Sequence, residues 1–188
     1  MSIENRVKEL GRQAREASRV VAASTVATRN KALLAIRDAI ADNRNDLLAA
    51  NAQDVAAGAE AGLAPALLDR LELDADRIAS LMVSLEQVAG LPDPVGAIDG
   101  VRTMDSGIRV GKMRVPLGVI GIVYESRPNV TVEAASLCLK AGNAAILRGG
   151  SEAINSNLAL GRYIQEGLAA VGLPSEAIQA VATTDRAV

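Results

Sequence analysis

The sequence predicts an α/β fold in which a helical layer and a β-hairpin precede part of a parallel, Rossmann-like sheet. Apolar residues recur at helical spacing up to residue 90. A segment rich in Pro, Gly and Asp (91–100, LPDPVGAIDG) ends that pattern, and short β-branched runs then alternate with helical stretches. Such alternation is typical of parallel strands joined by right-handed helical crossovers.

Residues 1–100 are predicted to form the N-terminal helical segment and its linker. Five stretches show helical periodicity, and each is bounded by a capping residue, a proline or a glycine. The second follows a cap at Ser24 or Thr25, the fourth begins at Pro65 and the fifth is capped by Asp74. The stretches lie at 7–21, 33–40, 45–61, from 65, and 74–90.

The next part, residues 101–116, alternates around Gly107 and is predicted to be a β-hairpin, a plausible exchange element between subunits. The last part, 117–188, begins with the continuous apolar run LGVIGIV at 117–123, which predicts a strand buried on both faces. Further elements follow as a helix, a strand, a helix and a third strand, at 130–141, 143–147, 151–171 and 177–182.

The predicted sheet is short for its type, since doubly wound sheets usually have about five or six strands. Asp185 resembles the first turn of another helix, after which the sequence stops. We therefore expect the chain to be the N-terminal piece of a longer protein.

Composition excludes several kinds of function. The chain has no His and one Cys, so it offers no imidazole metal ligand, no Ser-His-Asp triad and no multi-thiolate zinc site. A net charge of −2 and only two Tyr argue against a nucleic-acid interface. The N-terminus has no apolar signal core, and the longest apolar stretch (115–124) is far shorter than a membrane span of about 20 residues. We expect a cytoplasmic protein without metal.

Two loops leave the predicted buried strands, at 124–129 and at 148–152. Each joins a strand to a helix N-terminus, where backbone N–H groups and the helix dipole favour anions. Arg127 and Arg148 add guanidinium groups suited to phosphate or carboxylate. If the strands are neighbours, both loops lie at one anion-binding edge of the sheet; ordinary polar turns are the equally weighted alternative.

No glycine fingerprint for dinucleotides and no P-loop is present. Gly118 and Gly121 fall inside the predicted strand, where we expect them to relieve crowding by a packed neighbour. Cys138 lies in mid-helix between two leucines with no base beside it, which predicts a small core residue and not a nucleophile.

The segments YESRPNVT (124–131) and KAGNAAILRGGSEA (140–153) resemble the γ-glutamyl phosphate reductases of the aldehyde dehydrogenase superfamily. The resemblance implies NADPH-dependent reduction of L-glutamyl 5-phosphate to glutamate 5-semialdehyde, a step of proline biosynthesis. It also implies a homo-oligomer and makes glutamate 5-kinase a candidate functional partner. The family nucleophile is a Cys expected beyond residue 188, in a catalytic domain absent here, so we expect this chain alone to contain no catalytic residue and to be inactive.

The resemblance also implies roles for individual residues. Related dehydrogenases carry Lys-Pro-Ala/Ser-Glu after the second cofactor strand, and Arg148, Gly149, Gly150 and Ser151 occupy those positions here. Ser151 stands where those enzymes have a Glu carboxylate, and Arg148 supplies a positive charge. This combination favours binding of a 2′-phosphate, and hence of NADP(H).

In the superfamily, the sequence Pro-Trp-Asn follows the first of these strands. Residues 124–127 take its place here, and no Asn of this chain aligns with the superfamily's Asn without a gap. Ser126, Arg127 and Asn129 are instead the candidates for binding the substrate's phosphate or α-carboxylate. Two other hypotheses remain open: another acylating aldehyde dehydrogenase, against which SRPNVT argues, and a non-catalytic interaction module.

Overall fold

The computed structural model describes residues 3–183, within which five helices form the N-terminal layer. They are α1 (Ile3–Ala23), α2 (Val26–Asp42), α3 (Arg44–Glu60), α4 (Pro65–Leu71) and α5 (Ala75–Gly90). The predicted caps are present, because Thr25 Oγ1 accepts a hydrogen bond from Thr28 N (3.1 Å) and Asp74 Oδ1 accepts one from Arg77 N (2.7 Å). Ser24 instead donates its hydroxyl to the carbonyl of Val21.

Three parallel strands follow in the order β3–β4–β5, which confirms the predicted α/β class. They are β3 (Val119–Val123), β4 (Ala144–Arg148) and β5 (Ile178–Ala180), connected by α6 (Pro128–Lys140) and α7 (Ile154–Ala170). Single 3-10 turns at Ser151–Ala153 and Ser175–Ala177 precede α7 and β5. The predicted helix start at Asp185 lies outside the described residues.

The core forms where α2, α5, α6 and α7 pack on one another and on the sheet. Its fully buried members are aliphatic and come from the helical layer and the α/β part alike: Leu33, Ile36, Ile40, Ile78, Leu85, Leu139, Leu147, Leu160 and Ile164. A Cβ at Gly167 would lie 2.5 Å from the backbone nitrogen of Ile36. Glycine there allows α7 to approach α2 closely, so the helical layer and the α/β part share one core.

The hairpin consists of β1 (Ile98–Thr103) and β2 (Arg109–Met113), paired antiparallel. Its first strand begins three residues before the predicted start at 101. Gly100, with φ +62°, lies where the register shifts between Asp99 and Arg102. The Gly-containing sequence that suggested a linker therefore forms an irregularity within the strand. All residues of both strands are exposed.

The linker before the hairpin is tied to the core by a buried cation. Arg29 is 1% exposed, and its Nη2 donates to both carboxylate oxygens of Asp93 (2.8 Å each). Lys140, also buried, donates to the carbonyl of Ala89 (2.9 Å), and burial lowers the pKa of its ammonium group. The end of α5, the end of α6 and the start of the linker are thus joined at one point.

The expectation that β3 is buried on both faces is wrong within residues 3–183. Ile120 and Ile122 pack against the core, but Val119 is 36% and Val123 is 78% exposed. The second face of the sheet is covered by α1, which packs mainly over β4 and β5 and reaches β3 only near Val119, so the rest of that face of β3 is exposed. Double burial occurs instead in the central strand, where Ala144, Ala145 and Leu147 are buried.

The expected crowding around two glycines is also wrong. A Cβ at Gly118 or Gly121 would meet no atom within 4 Å in the described part of the chain. Gly118 precedes β3 with φ +109°, so its backbone conformation, and not a packed neighbour, accounts for glycine. Among the helices of residues 3–183, none is both long and apolar enough to cross a membrane.

Candidate functional site

The two loops predicted to share one sheet edge do lie side by side. Strands β3 and β4 pair in parallel with Val123 opposite Arg148, so their carboxyl ends coincide. Tyr124 N donates to the carbonyl of Arg148 (3.0 Å). Farther along, Ser126 Oγ donates to Glu152 Oε2 (2.8 Å). The carboxyl edge thus brings together loop 124–129, which follows β3, and loop 149–153, which follows β4.

Gly149 and Gly150 allow the two loops to approach closely. A Cβ at Gly149 would overlap the side-chain amide of Asn157 and lie 3.1 Å from Tyr124 Cε2. A Cβ at Gly150 would lie 2.6 Å from Glu152 Oε2 and 2.9 Å from Ser126 Oγ. Neither position has room for a side chain, because neighbouring side chains already occupy the space, and glycine is therefore what lets the loops pack this closely.

The start of α7 is occupied by a carboxylate of the protein itself. Asp54, a buried residue of α3, accepts hydrogen bonds from the backbone N–H groups of Asn155 (3.1 Å) and Ser156 (2.7 Å). It also accepts from their side chains, at 2.8 and 2.6 Å. The expectation that this helix start offers its N–H groups to a bound anion is therefore wrong for Asn155 and Ser156.

Asn51, one helical turn before Asp54, extends this buried network. Its Nδ2 donates to Ser156 Oγ (3.0 Å) and to the carbonyl of Leu71 (2.8 Å), and its Oδ1 accepts from Leu73 N (2.7 Å). The network connects α3, the end of α4 and the start of α7. Both residues lie about one hundred positions from α7 in an Ala-rich helix, so no local motif indicates their role.

The other predicted cofactor residues surround the glycine pair. Arg148 ends β4 with its side chain half-buried, and Ser151 begins the 3-10 turn and is exposed. The family alignment places Ser151 at the family's glutamate position and assigns no role to Glu152. The structure brings the Glu152 carboxylate to the same edge, where Ser126 hydrogen-bonds it.

The predicted substrate residues divide between two places. Ser126 faces loop 149–153, whereas Arg127 and Asn129 line a groove of about 320 Å³ between the start of α6 and the α4–α5 region. Arg127 is exposed, and within residues 3–183 its guanidinium makes no ion pair or hydrogen bond. Asn129 Nδ2 donates to Glu133 Oε1 (3.0 Å). We call this cavity the α4–α6 groove.

A hydrogen-bonded chain links the two loops below the surface. Thr131 Oγ1 donates to Asn157 Oδ1 (2.8 Å), so its remaining acceptor capacity takes the hydroxyl of Tyr124 (2.6 Å). Burial raises the pKa of Tyr124, and the hydrogen bond to Thr131 opposes this to a smaller extent. Tyr124 is therefore a neutral donor at physiological pH.

Cys138 is a buried free thiol, as predicted, with 7% of its surface exposed. Burial raises the pKa of this thiol, which disfavours the nucleophilic thiolate. It lies ten residues after the start of α6, about 15 Å along the helix from the sheet edge. Among residues 3–183 there is also no group of three or more His, Cys, Asp or Glu placed to hold a metal ion.

Two reductases with solved structures are similar to this chain. The γ-glutamyl phosphate reductase of Thermotoga maritima is 41% identical with a TM-score of 0.91, and the match covers 95% of this chain and 43% of that one. The γ-glutamyl phosphate reductase of Saccharomyces cerevisiae is 31% identical with a TM-score of 0.89, covering 98% and 47%. The chain thus spans less than half the length of either reductase.

The fold is shared more widely. A propionaldehyde dehydrogenase of Rhodopseudomonas palustris superposes with a TM-score of 0.65 at 20% identity, over 95% of this chain and 37% of that one. The model of the aldehyde dehydrogenase family matches residues 2–188. On these grounds, the chain belongs to the aldehyde dehydrogenase family.

Proposed function

We propose that the protein to which this chain belongs reduces L-glutamyl 5-phosphate to glutamate 5-semialdehyde with NADPH, a step of proline biosynthesis. The two reductases at 41% and 31% identity support this substrate. The structural observation that carries the proposal is the meeting of loops 124–129 and 149–153 at one edge of a parallel sheet, where α/β proteins bind ligands. We place the nucleophilic Cys outside this chain; the burial of Cys138 in the core supports this assignment.

Arg148, Gly149, Gly150 and Ser151 are the residues we assign to NADP(H). The assignment is supported by the position of the glycine pair directly after β4, at the carboxyl edge of the sheet, where the absence of side chains lets the two loops pack closely. Arg148, at the end of β4, supplies a cation for the 2′-phosphate. When bound, the cofactor supplies the hydride for the acyl carbon.

The substrate is assigned to the neighbouring loop, at Ser126, Arg127 and Asn129. Ser126 lies nearest the cofactor loop, through its hydrogen bond to Glu152. Arg127 presents a guanidinium that can pair with an anionic group. The reactive end of the substrate then lies between the loops, and water is displaced there by the bound molecules.

We also propose that the exposed hairpin is a contact between subunits of a homo-oligomer. Five apolar side chains of the two strands and their turn lie at least 46% exposed: Ile98, Val101, Ile108, Val110 and Met113. A hairpin with so much apolar surface in water is typical of an interface. A cytoplasmic location and an association with glutamate 5-kinase belong to the same proposal.

The experiment that tests the cofactor assignment is Arg148→Ala in the complete protein. Loss of a charge-assisted bond of about 1.5–3 kcal/mol raises the Kd for NADPH by roughly 10- to 100-fold, while the Kd for NADH changes little. NADPH fluorescence titration measures both. Equal losses for the two cofactors would contradict the assignment to the 2′-phosphate.

The substrate is tested by comparing turnover of γ-glutamyl phosphate with turnover of an acyl-CoA by the wild-type protein. We expect turnover of the acyl phosphate only. Preferential reduction of the acyl-CoA would instead identify another acylating aldehyde dehydrogenase.

A further inference from the structure

We propose that the α4–α6 groove recognises the α-amino-acid end of the substrate, its head group. Arg127 forms an ion pair with the α-carboxylate, and Glu133 forms one with the α-ammonium group. This inference rests on the proposed function and deepens it. It assigns one charge of the head group to each residue, and it introduces Glu133 as a specificity-determining residue.

The wall formed by α6 carries both required charges. Glu133 accepts one hydrogen bond from Asn129 at Oε1 (3.0 Å), which orients the carboxylate and leaves Oε2 to accept from a ligand. Arg127, six residues earlier, has no competing ion pair within residues 3–183 and lines the same groove. An unpaired cation and an oriented carboxylate on one wall match the two opposite charges of an α-amino acid.

On the facing wall, Arg77 is already bonded within the protein, while Arg70 and Glu72 carry the same charges as Arg127 and Glu133 but come from the α4–α5 region. The Arg77 guanidinium makes hydrogen bonds within the protein: its Nη2 donates to Asp69 Oδ1 (2.6 Å) and its Nη1 donates to the carbonyl of Glu72 (2.9 Å). Arg70 also lines this wall, and Glu72 contributes a carboxylate to it. Arg70 and Glu72 therefore serve as matched controls for Arg127 and Glu133.

The size and the lining of the groove suit a short amino acid. Its volume of about 320 Å³ lies at the lower end of small-molecule sites, which span about 300–1,000 Å³. Leu73 and Leu81, each 3% exposed, contribute apolar surface against which side-chain methylenes can pack.

The groove and the cofactor loop are connected through loop 124–129. Arg127 directly follows Ser126, whose hydroxyl contacts Glu152 in loop 149–153. The proposal requires the acyl end of the substrate to extend from the groove past Ser126 to the edge at which the two loops meet.

The experiment uses the complete protein in the oxidative direction. There the aldehyde carbon is oxidised to an acyl phosphate, NADP⁺ is reduced to NADPH, inorganic phosphate forms the new C–O bond, and one proton passes to solvent. Three aldehydes are compared: glutamate 5-semialdehyde, 5-oxopentanoate, which lacks the ammonium group, and 4-aminobutanal, which lacks the carboxylate.

For Glu133→Gln we expect kcat/KM for glutamate 5-semialdehyde to fall about tenfold while that for 5-oxopentanoate stays within about twofold of wild type. For Arg127→Gln we expect a similar loss for both carboxylate-bearing aldehydes and little change for 4-aminobutanal. For Glu72→Gln and Arg70→Gln we expect the ratios of kcat/KM between the three aldehydes to stay as in the wild type.

Three results would each overturn the assignment. They are an equal fall in kcat/KM for all three aldehydes, no change in the kcat/KM ratios between aldehydes, and the same change in those ratios in the Glu72 or Arg70 variant. These outcomes require that the wild-type protein oxidises glutamate 5-semialdehyde, so they leave the proposed function intact. A wild-type protein that does not turn over this aldehyde with NADP⁺ and phosphate refutes the proposed function, and this inference with it.

Discussion

The loop after β3 and the loop after β4 lie against each other, yet they are held in different ways. Loop 149–153 leads into a helix whose first amides bond to the buried carboxylate of Asp54. Loop 124–129 follows an outer strand, and within residues 3–183 the guanidinium of its Arg127 makes no ion pair or hydrogen bond. One loop is fixed by internal bonds, and the other keeps its charged group available.

This difference suggests a division of labour within the site. In the proposed function, the cofactor, which is the same in every turnover, binds the closely packed backbone at Gly149 and Gly150. A substrate is distinguished from similar molecules by charges that are free to pair with it. We therefore propose that the supporting bonds of the first loop serve the cofactor and the unpaired guanidinium of the second serves the substrate.

The largest effect is expected from Asp54→Ala, which removes the internal support of loop 149–153. Two backbone and two side-chain donors then lose a buried acceptor, so the free energy of unfolding falls by about 3 kcal/mol. Hydrogen exchange at the amides of Asn155 and Ser156 in the complete protein gives the local measurement, and urea denaturation the global one.

Asp46→Ala is the matched control, because Asp46 lies on the same helix and is exposed. We expect it to leave both amides protected. Unchanged exchange in Asp54→Ala would show that loop 149–153 does not depend on this carboxylate, and the contrast between the two loops would disappear.

An intermediate effect is expected from Gly149→Ala. The added methyl group overlaps Asn157 and presses on Tyr124, so overpacking lowers the free energy of unfolding by about 2 kcal/mol. Gly121→Ala in β3 is the control, since nothing lies within 4 Å of its Cβ position. Thermal unfolding of the two variants should separate them clearly; equal midpoints would mean that the loops are not closely packed.

The smallest effect is expected from Tyr124→Phe, which removes the outer link between the loops. Thr131 still donates to Asn157, so only one hydrogen bond is lost and the free energy of unfolding falls by about 0.5–1 kcal/mol. Thr131→Val removes the middle member of this hydrogen-bonded chain, so both hydrogen bonds are lost and the free energy of unfolding should fall further. A larger loss in Tyr124→Phe than in Thr131→Val, measured by urea denaturation, would contradict the direction of this chain.

Local signals account for most of the correctly predicted elements. Thr25 and Asp74 cap their helices, and Pro65 begins α4, because each effect depends on residues within one turn. Errors arose where the environment lies elsewhere in the chain. The apolar run of β3 resembles a doubly buried strand, but burial of each face depends on which helices pack over it, and α1 lies mainly over β4 and β5.

The sequence by itself determined the order of helices and strands, the hairpin and the family resemblance, and it made the adjacency of the two loops conditional on neighbouring strands. These follow from short-range periodicity, turn chemistry and motifs contained in single segments. Only the tertiary structure decided that Asp54 occupies the start of α7, that Glu152 faces Ser126, and that Glu133 joins Arg127 in one groove. Each of these contacts depends on how separate elements pack in three dimensions, and no local pattern encodes that arrangement.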